Sequence, residues 1–425
     1  MSRKPIEPGV RPPRARVLHP ETAAIGEGFD PALSVMAARP PIYPVSTYCF
    51  HNAAEAKRYF DIALGRAEHP PDDTASELIY ARLNNPNAEM FEHLLVPLEK
   101  GATGGASFAS GMSAIATTLL ALLRPGDAIL HTRPIYGGTD HLMHHLLEPY
   151  GITAHGVAAG SIDALAAQAR QLGDRLALIY LETPANPTLR MTDIETVAAL
   201  ARDRSAKRRV PVLVDNTFLG PIFQSPIEHG ADMVIYSATK YIGGHSDLVA
   251  GALLTPDAEL LERVRTVRAF FGTICEPFSA WLLQRSLATI HTRMIKQSKN
   301  ASRIVDRIRE HPKIRTVHYP TLFTGDQAAI YEKQCHAPGG VFAFEIDGGE
   351  EAAFRVLDAL RIPRLAVSLG SVESLVTHPR TTVSSEMSPE DMDRSGITDG
   401  LVRYSTGVEY WRDLTADIEQ ALELA

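Results

Sequence analysis

Short apolar runs alternate with amphipathic stretches through the middle of the chain, from about residue 87 to 270. The runs at 106–109, 128–131, 176–181, 212–214 and 233–236 are bounded by polar or turn-forming residues and predict buried strands. Between them, helical periodicity fits 88–99, 112–123, 140–150, 162–171 and 193–202. Strands that alternate with helices predict a mostly parallel α/β sheet covered on both faces. Beyond Pro277 the pattern changes. A long helical stretch at 279–310, the strand GGVFAFEID (339–347) and a closing helix from Asp413 predict a smaller C-terminal α+β unit.

The first 85 residues read differently, with turn formers Pro40, Pro41, Pro44, Pro70 and Pro71 prominent. GRAEHPPDDTAS (65–76) reads as an exposed loop. The opening MSRKPIEPGVRPPRARV is basic and Pro-rich but has no apolar h-region, so it reads as an N-terminal arm rather than a secretory signal. The expected division is 1–85, 86–275 and 276–425. A length of 425 residues, 45% of them hydrophobic, is ample for such cores.

Charge narrows the partners. A net charge of −8 argues against nucleic acid or an anionic membrane surface. No apolar run approaches the ~20 residues that span a bilayer. The three cysteines, Cys49, Cys275 and Cys335, form no CxxC and predict reduced thiols in a cytoplasmic protein.

In an open α/β sheet, ligands gather beyond the carboxyl ends of the strands. Four such ends carry candidate chemistry. Ser110, Gly111 and Met112 open a helix whose free N–H groups could hold a phosphate, although taken alone a Ser N-cap is the commoner reading of the same residues. Asn186 stands between Pro184 and Pro187, either an aimed amide or a plain turn. Asp215 follows an apolar run, where a carboxylate needs a cation: a pyridinium, or more simply an arginine, unless it serves as a helix N-cap. Ser237, Thr239 and Lys240 combine two hydroxyls with a lysine that could form an imine, against the plainer reading of a surface lysine. Tyr236 and Lys240 also match the Y-x-x-x-K pair of short-chain dehydrogenases, but the chain has no G-x-G-x-x-G near its start. Taken in order with a late Arg403, these residues are what an amino-acid enzyme using pyridoxal phosphate requires.

The chain also resembles the cystathionine γ-synthase-like family of transsulfuration enzymes. The similar motifs include PPIYPVSTY (40–48), YARLNNPN (80–87), ASGMSAI (109–115), YGGT (136–139), ETPANPT (182–188), VDNTF (214–218), SATKYIGGHSD (237–247), AVSLGSVESLVTHP (366–379) and LVRYSTGVE (401–409). The resemblance implies the aspartate-aminotransferase-like fold (fold type I). It also implies a homo-oligomer, a dimer of dimers with shared active sites, in which 1–85 is an intersubunit segment. Tyr80 and Arg82 would then reach a neighbouring subunit's cofactor phosphate, with Ser110, Gly111, Met112, Ser237 and Thr239 completing the cup. Tyr136 would cover the cofactor ring and exchange protons. Lys240 would carry the cofactor and act as base, and Asp215 would hold the pyridine nitrogen. Asn186, Ser368 and Arg403 would take the substrate, Arg403 clamping its α-carboxylate bidentately.

Within the family the signals divide. Relatives that use cystathionine commonly have Glu where this chain has Val367, and an apolar residue there resembles methionine γ-lyases. Those lyases, however, typically have Cys where this chain has Gly138, and YGGT is more like the synthases. The expectation is a C–S γ-lyase acting on methionine or homocysteine. The alternatives are γ-replacement, as in cystathionine γ-synthase or an O-acylhomoserine sulfhydrylase, and a non-catalytic cofactor-binding scaffold.

Overall fold

The structure, a computed structural model, describes residues 18–26, 29–68, 78–202 and 209–425. The 1–17 arm and the 65–76 loop beyond residue 68 lie outside the described residues.

Seven strands form the first sheet: β1 (Gly104–Phe108), β2 (Ala128–Arg133), β3 (Thr153–Ala158), β4 (Leu176–Glu182), β5 (Val212–Asp215), β6 (Met233–Tyr236) and β7 (Gly251–Thr255), in the order β1-β7-β6-β5-β4-β2-β3. β2 to β6 pair in parallel, while β7 runs antiparallel to both β1 and β6. All five predicted strands are present. β4 shows why the sheet is sandwiched: Leu178 and Tyr180 enter one apolar core, and Ile179 and Leu181 enter another. Each buried Leu or Ile contributes about 2 kcal/mol, and the alternation follows the pleat. Helix Gly111–Leu122 supplies Ala114, Ile115 and Leu119 to the first core; helices Ile162–Leu172 and Ile194–Arg202 supply Leu165, Ala169 and Val197 to the second.

Two predicted helices are interrupted. The 140–150 segment is a short helix Gly137–His141, a π-helical turn Leu142–Leu146 and a 3-10 turn Glu148–Tyr150. The 279–310 stretch is two helices, Pro277–Leu287 and Ile290–Ile308, separated at Ala288 and Thr289.

The second sheet contains β8 (Ile314–His318), β9 (Val341–Ile346), β10 (Arg364–Leu365), β11 (Leu375–Thr377) and β12 (Leu401–Ser405), ordered β10-β11-β12-β9-β8. The closing helix is Trp411–Leu422. Phe342 and Tyr404 of this sheet share one apolar core with Tyr236 of the first and with Tyr241 in the turn that follows β6. That shared core is what brings β12, and Arg403 in it, to the first sheet. The architecture is the fold type I α/β arrangement, a mostly parallel sheet with a smaller second sheet. Among the described residues no helix is long and apolar enough to cross a membrane.

Candidate active site

The carboxyl ends of β1, β2, β4, β5 and β6 converge on a cavity of ≈ 300 Å³. Eleven of the residues singled out from sequence line it: Ser110, Gly111, Met112, Tyr136, Asn186, Asp215, Ser237, Thr239, Lys240, Val367 and Arg403. Ser368 joins them through its hydroxyl, which accepts from Lys240 Nζ at 2.8 Å.

At one end lies an anion cradle. Ser110 caps helix Gly111–Leu122: its Oγ accepts from Ser113 N–H at 2.9 Å, and its own N–H donates to Ser113 Oγ at 2.8 Å. The cap reading is therefore correct for the Ser110 side chain. The backbone N–H groups of Gly111 and Met112 have no intrahelical acceptor and head the helix dipole. Gly111 is required by space, since a Cβ there would stand 2.9 Å from Ser237 Cβ and 3.0 Å from Ser237 Oγ. Gly251 of β7 is likewise pressed against the Ser110 carbonyl. Thr239 Oγ1 donates to the Ala250 carbonyl at 3.2 Å and accepts from Ala250 N–H at 3.0 Å, so its proton is already used.

At the other end are buried ionisable groups that form no hydrogen-bonded ion pair with one another. Asp215 accepts from Thr217 N–H and from the Tyr180 hydroxyl, each at 3.1 Å, with no cation among its hydrogen-bond partners. Burial holds its carboxyl above the ordinary range. It is therefore neither a helix N-cap nor the partner of an arginine. Beside it in register on β4, Glu182 is pushed up to about 8, by burial first and then by Asp215. Arg403 is 2% exposed and donates only to neutral acceptors, Asn186 Oδ1 at 3.0 Å and the Ser368 carbonyl at 3.1 Å. Burial lowers it to about 10. Lys240 lines the same cavity, lowered to about 8 by burial and then by the charge of Arg403.

Tyr136 follows β2 and is held by its N–H, which donates to Glu182 Oε2 at 2.7 Å; 44% of its surface stays exposed. Tyr80 and Arg82 are not part of this cavity in the single chain. Arg82 donates to the Ala269 carbonyl at 2.6 Å and stacks over the Tyr80 ring at 5.6 Å, beside a different hollow. Sequence reasoning missed Glu182, Tyr180 and Thr217. Glu182 ends an apolar run just as Asp215 does, and the same rule would have found it.

These residues fit pyridoxal phosphate. Free helix N–H groups beside a serine hydroxyl suit its phosphate. Asp215 lacks the cation that a protonated pyridine supplies. Lys240 lines the same cavity as both, with a lowered pKa.

Comparison with known proteins agrees. The family described as Cys/Met metabolism PLP-dependent enzyme matches residues 21–423. The chain is 37% identical over 404 residues to L-methionine gamma-lyase of Pseudomonas putida, covering 95% of this chain and 96% of that protein. It is also 37% identical over 403 residues to cystathionine gamma-synthase of Mycobacterium bovis, with the same coverage of 95% and 96%. Among solved structures, cystathionine gamma synthase of Xanthomonas oryzae pv. oryzae in complex with cystathionine superposes with a TM-score of 0.85 at 33% identity, covering 96% of this chain and 99% of that one.

Proposed function

The chain belongs to the Cys/Met metabolism PLP-dependent enzymes, and from that premise we propose a C–S γ-lyase. It would cleave methionine or homocysteine with water to 2-oxobutanoate, ammonia and the sulfur leaving group. The observation that carries this reading is the cavity rim, where Val367 and Val383 are apolar and offer a distal charge no partner.

Bound pyridoxal phosphate supplies the electron sink; the protein supplies the rest. The N–H groups of Gly111 and Met112 and the Ser237 hydroxyl would hold the phosphate, with Thr239 bracing the loop beside them through Ala250 and with Tyr80 and Arg82 contributed by a second copy of the chain. Asp215 would accept from the pyridine N–H, and Lys240 would carry the cofactor. At pH 7 a lysine with a pKa of about 8 is about one-tenth deprotonated, against less than about one in a thousand at the ordinary 10.5. Freed Lys240 is thus suited to move protons at Cα and then Cβ. Arg403, held by Asn186 and Ser368, receives the α-carboxylate. Tyr136, at the open side, protonates the departing sulfur.

γ-Replacement is the second reading, favoured by Gly138. A side chain there would place its Cβ 2.8 Å from Tyr136 Cε1 and 3.3 Å from Met112 Sδ, so the present ring position depends on glycine. We place the protein in the cytoplasm, in line with three unpaired cysteines, and divide it at residues 85 and 275. The deciding experiment is product analysis. 2-Oxobutanoate and ammonia from methionine or homocysteine support the lyase. Thioether formation from O-acetyl- or O-succinylhomoserine plus thiol, without 2-oxobutanoate from methionine, overturns it.

A further inference from the structure

Glu182 is a buried carboxylate that no step above uses, yet it touches two parts of the site at once. Its Oε2 accepts from Tyr136 N–H at 2.7 Å, and its Oε1 accepts from Asn186 N–H at 3.1 Å. Its own N–H donates to Thr132 Oγ1 at 3.1 Å, which ties it to β2 as well as β4. The Asn186 side chain in turn accepts from Arg403 Nη1 at 3.0 Å. One carboxylate therefore joins the turn bearing the ring-covering tyrosine to the turn that holds the arginine.

We propose that Glu182 is the positioning residue that fixes Tyr136 and the Asn186–Arg403 pair relative to each other, so that a substrate's α-carboxylate and its leaving group are seated together. This rests on the roles given above to Tyr136 and Arg403 and holds for elimination and replacement alike. The chemistry demands a carboxylate. Both partners are N–H donors, so each oxygen must accept, and an ionised carboxyl is the only side-chain group of this length that offers two such acceptors. An amide offers one acceptor and turns its NH₂ toward the other N–H. A protonated acid has the same fault. Burial and then the charge of Asp215 push Glu182 up to about 8, while its two N–H donors and Arg403 pull it down, and a cation on Asp215 would relieve the repulsion across the β4–β5 register and so favour the ionised form.

The test uses holoenzyme and L-norleucine, an amino acid with no γ-leaving group, followed by the change in cofactor absorbance. Glu182→Gln removes one acceptor at nearly constant volume. The expected result is a rise in norleucine Kd of about tenfold, the cost of one charged hydrogen bond lost from a buried network. Cofactor content should stay near wild type, because the phosphate cradle is untouched. In an Arg403→Lys background the same substitution should cost much less, because the arm it positions is already displaced. Glu182→Asp, which keeps the charge but is one carbon shorter, provides a second reading if the glutamine variant folds poorly. It should also bind norleucine more weakly per loaded site. A purely structural Glu182 gives the opposite picture: lower Tm and less loaded protein, but unchanged Kd at each loaded site and additive effects with Arg403→Lys. That result overturns the proposal. If Arg403→Lys alone leaves Kd unchanged, the role of Arg403 fails instead, and the two failures are distinguishable.

Discussion

Val367 is 61% exposed at the cavity rim, one position before the serine that bonds Lys240. A charge added there would face the distal end of a substrate but remain partly in water. Val367→Glu should therefore shift kcat/KM from methionine toward cystathionine by about 1 kcal/mol, the upper end for a solvent-exposed ion pair. Competition assays on wild type and variant measure the ratio; equal losses for both substrates would mean that Val367 only packs. The residue scale was also where the sequence was most legible. Asp215 and Ser237 could be found because a polar side chain directly after an apolar strand is costly unless it has a task. Ser368 and Val367 lie on loops between short strands, where no periodicity marks them, and only family resemblance pointed to them. That Arg403 hydrogen-bonds only neutral acceptors was invisible for another reason: its partner Asn186 stands 217 residues away in sequence.

At the scale of elements, the buried parallel strands were legible because each is a continuous apolar run. β3 and β7 were not. β3, TAHGVA, is only half-buried and lacks such a run, while β7, GALLT, begins on the glycine that makes room for Ser110. The junction of β1 with its helix gives a prediction whose sign is informative. Gly→Ala in a helix is ordinarily favourable by up to about 1 kcal/mol. In Gly111→Ala, however, the new methyl meets Ser237 Cβ and must push the cradle open. Tm should change little, whereas cofactor affinity, measured by titrating apo-protein, should fall by about tenfold or more. A second prediction belongs to β2. His131 is fully buried, its Nδ1 pairs with the Thr132 carbonyl, and its Nε2 lies 2.9 Å from His144 Nε2. Burial lowers its pKa from 6.5 to about 3. A histidine depressed in the fold contributes stability above pH 6.5 and loses it as pH falls toward the folded value. The slope is about 1.4 kcal/mol per pH unit. Tm plotted from pH 6.5 to 4.5 should therefore be shallower for His131→Gln than for wild type, even if the variant melts lower at pH 8. Parallel curves would refute the assignment.

Tyr80 and Arg82 carry the phosphate-binding roles expected from the family resemblance, yet in the chain they lie by another hollow, with Arg82 held on the Ala269 carbonyl. Among polar and charged groups, that hollow carries exposed apolar side chains: Phe270 is 82% exposed and Leu64 58%, and Phe271, next in sequence, is 64% exposed. Large exposed aromatics beside a wide hollow are costly in water and suit an interface with a second copy. A closed two-fold dimer would present each copy's Tyr80–Arg82 segment to the other's cavity, because a contact made by one patch is made by its mate as well. The consequence can be tested without knowing the substrate's identity beyond its class. Arg82→Ala subunits keep Lys240 but weaken the phosphate clamp they lend. Lys240→Ala subunits keep the clamp but cannot carry the cofactor covalently. Each homo-oligomer should be nearly inactive. Unfolded, mixed in equal amounts and refolded, they assemble at random, so about half of the dimers are hybrids. In every hybrid one site joins an intact Lys240 with an intact Arg82 from its partner, and the other site has neither. Activity should therefore recover to about one quarter of wild type: half of the molecules, each with one site of two. If the sites were instead complete within single chains, every site would keep one defect and mixing would restore nothing. Recovery that rises with subunit exchange is the signature of the shared site, and its absence in demonstrated hybrids would return Tyr80 and Arg82 to the chain that bears them.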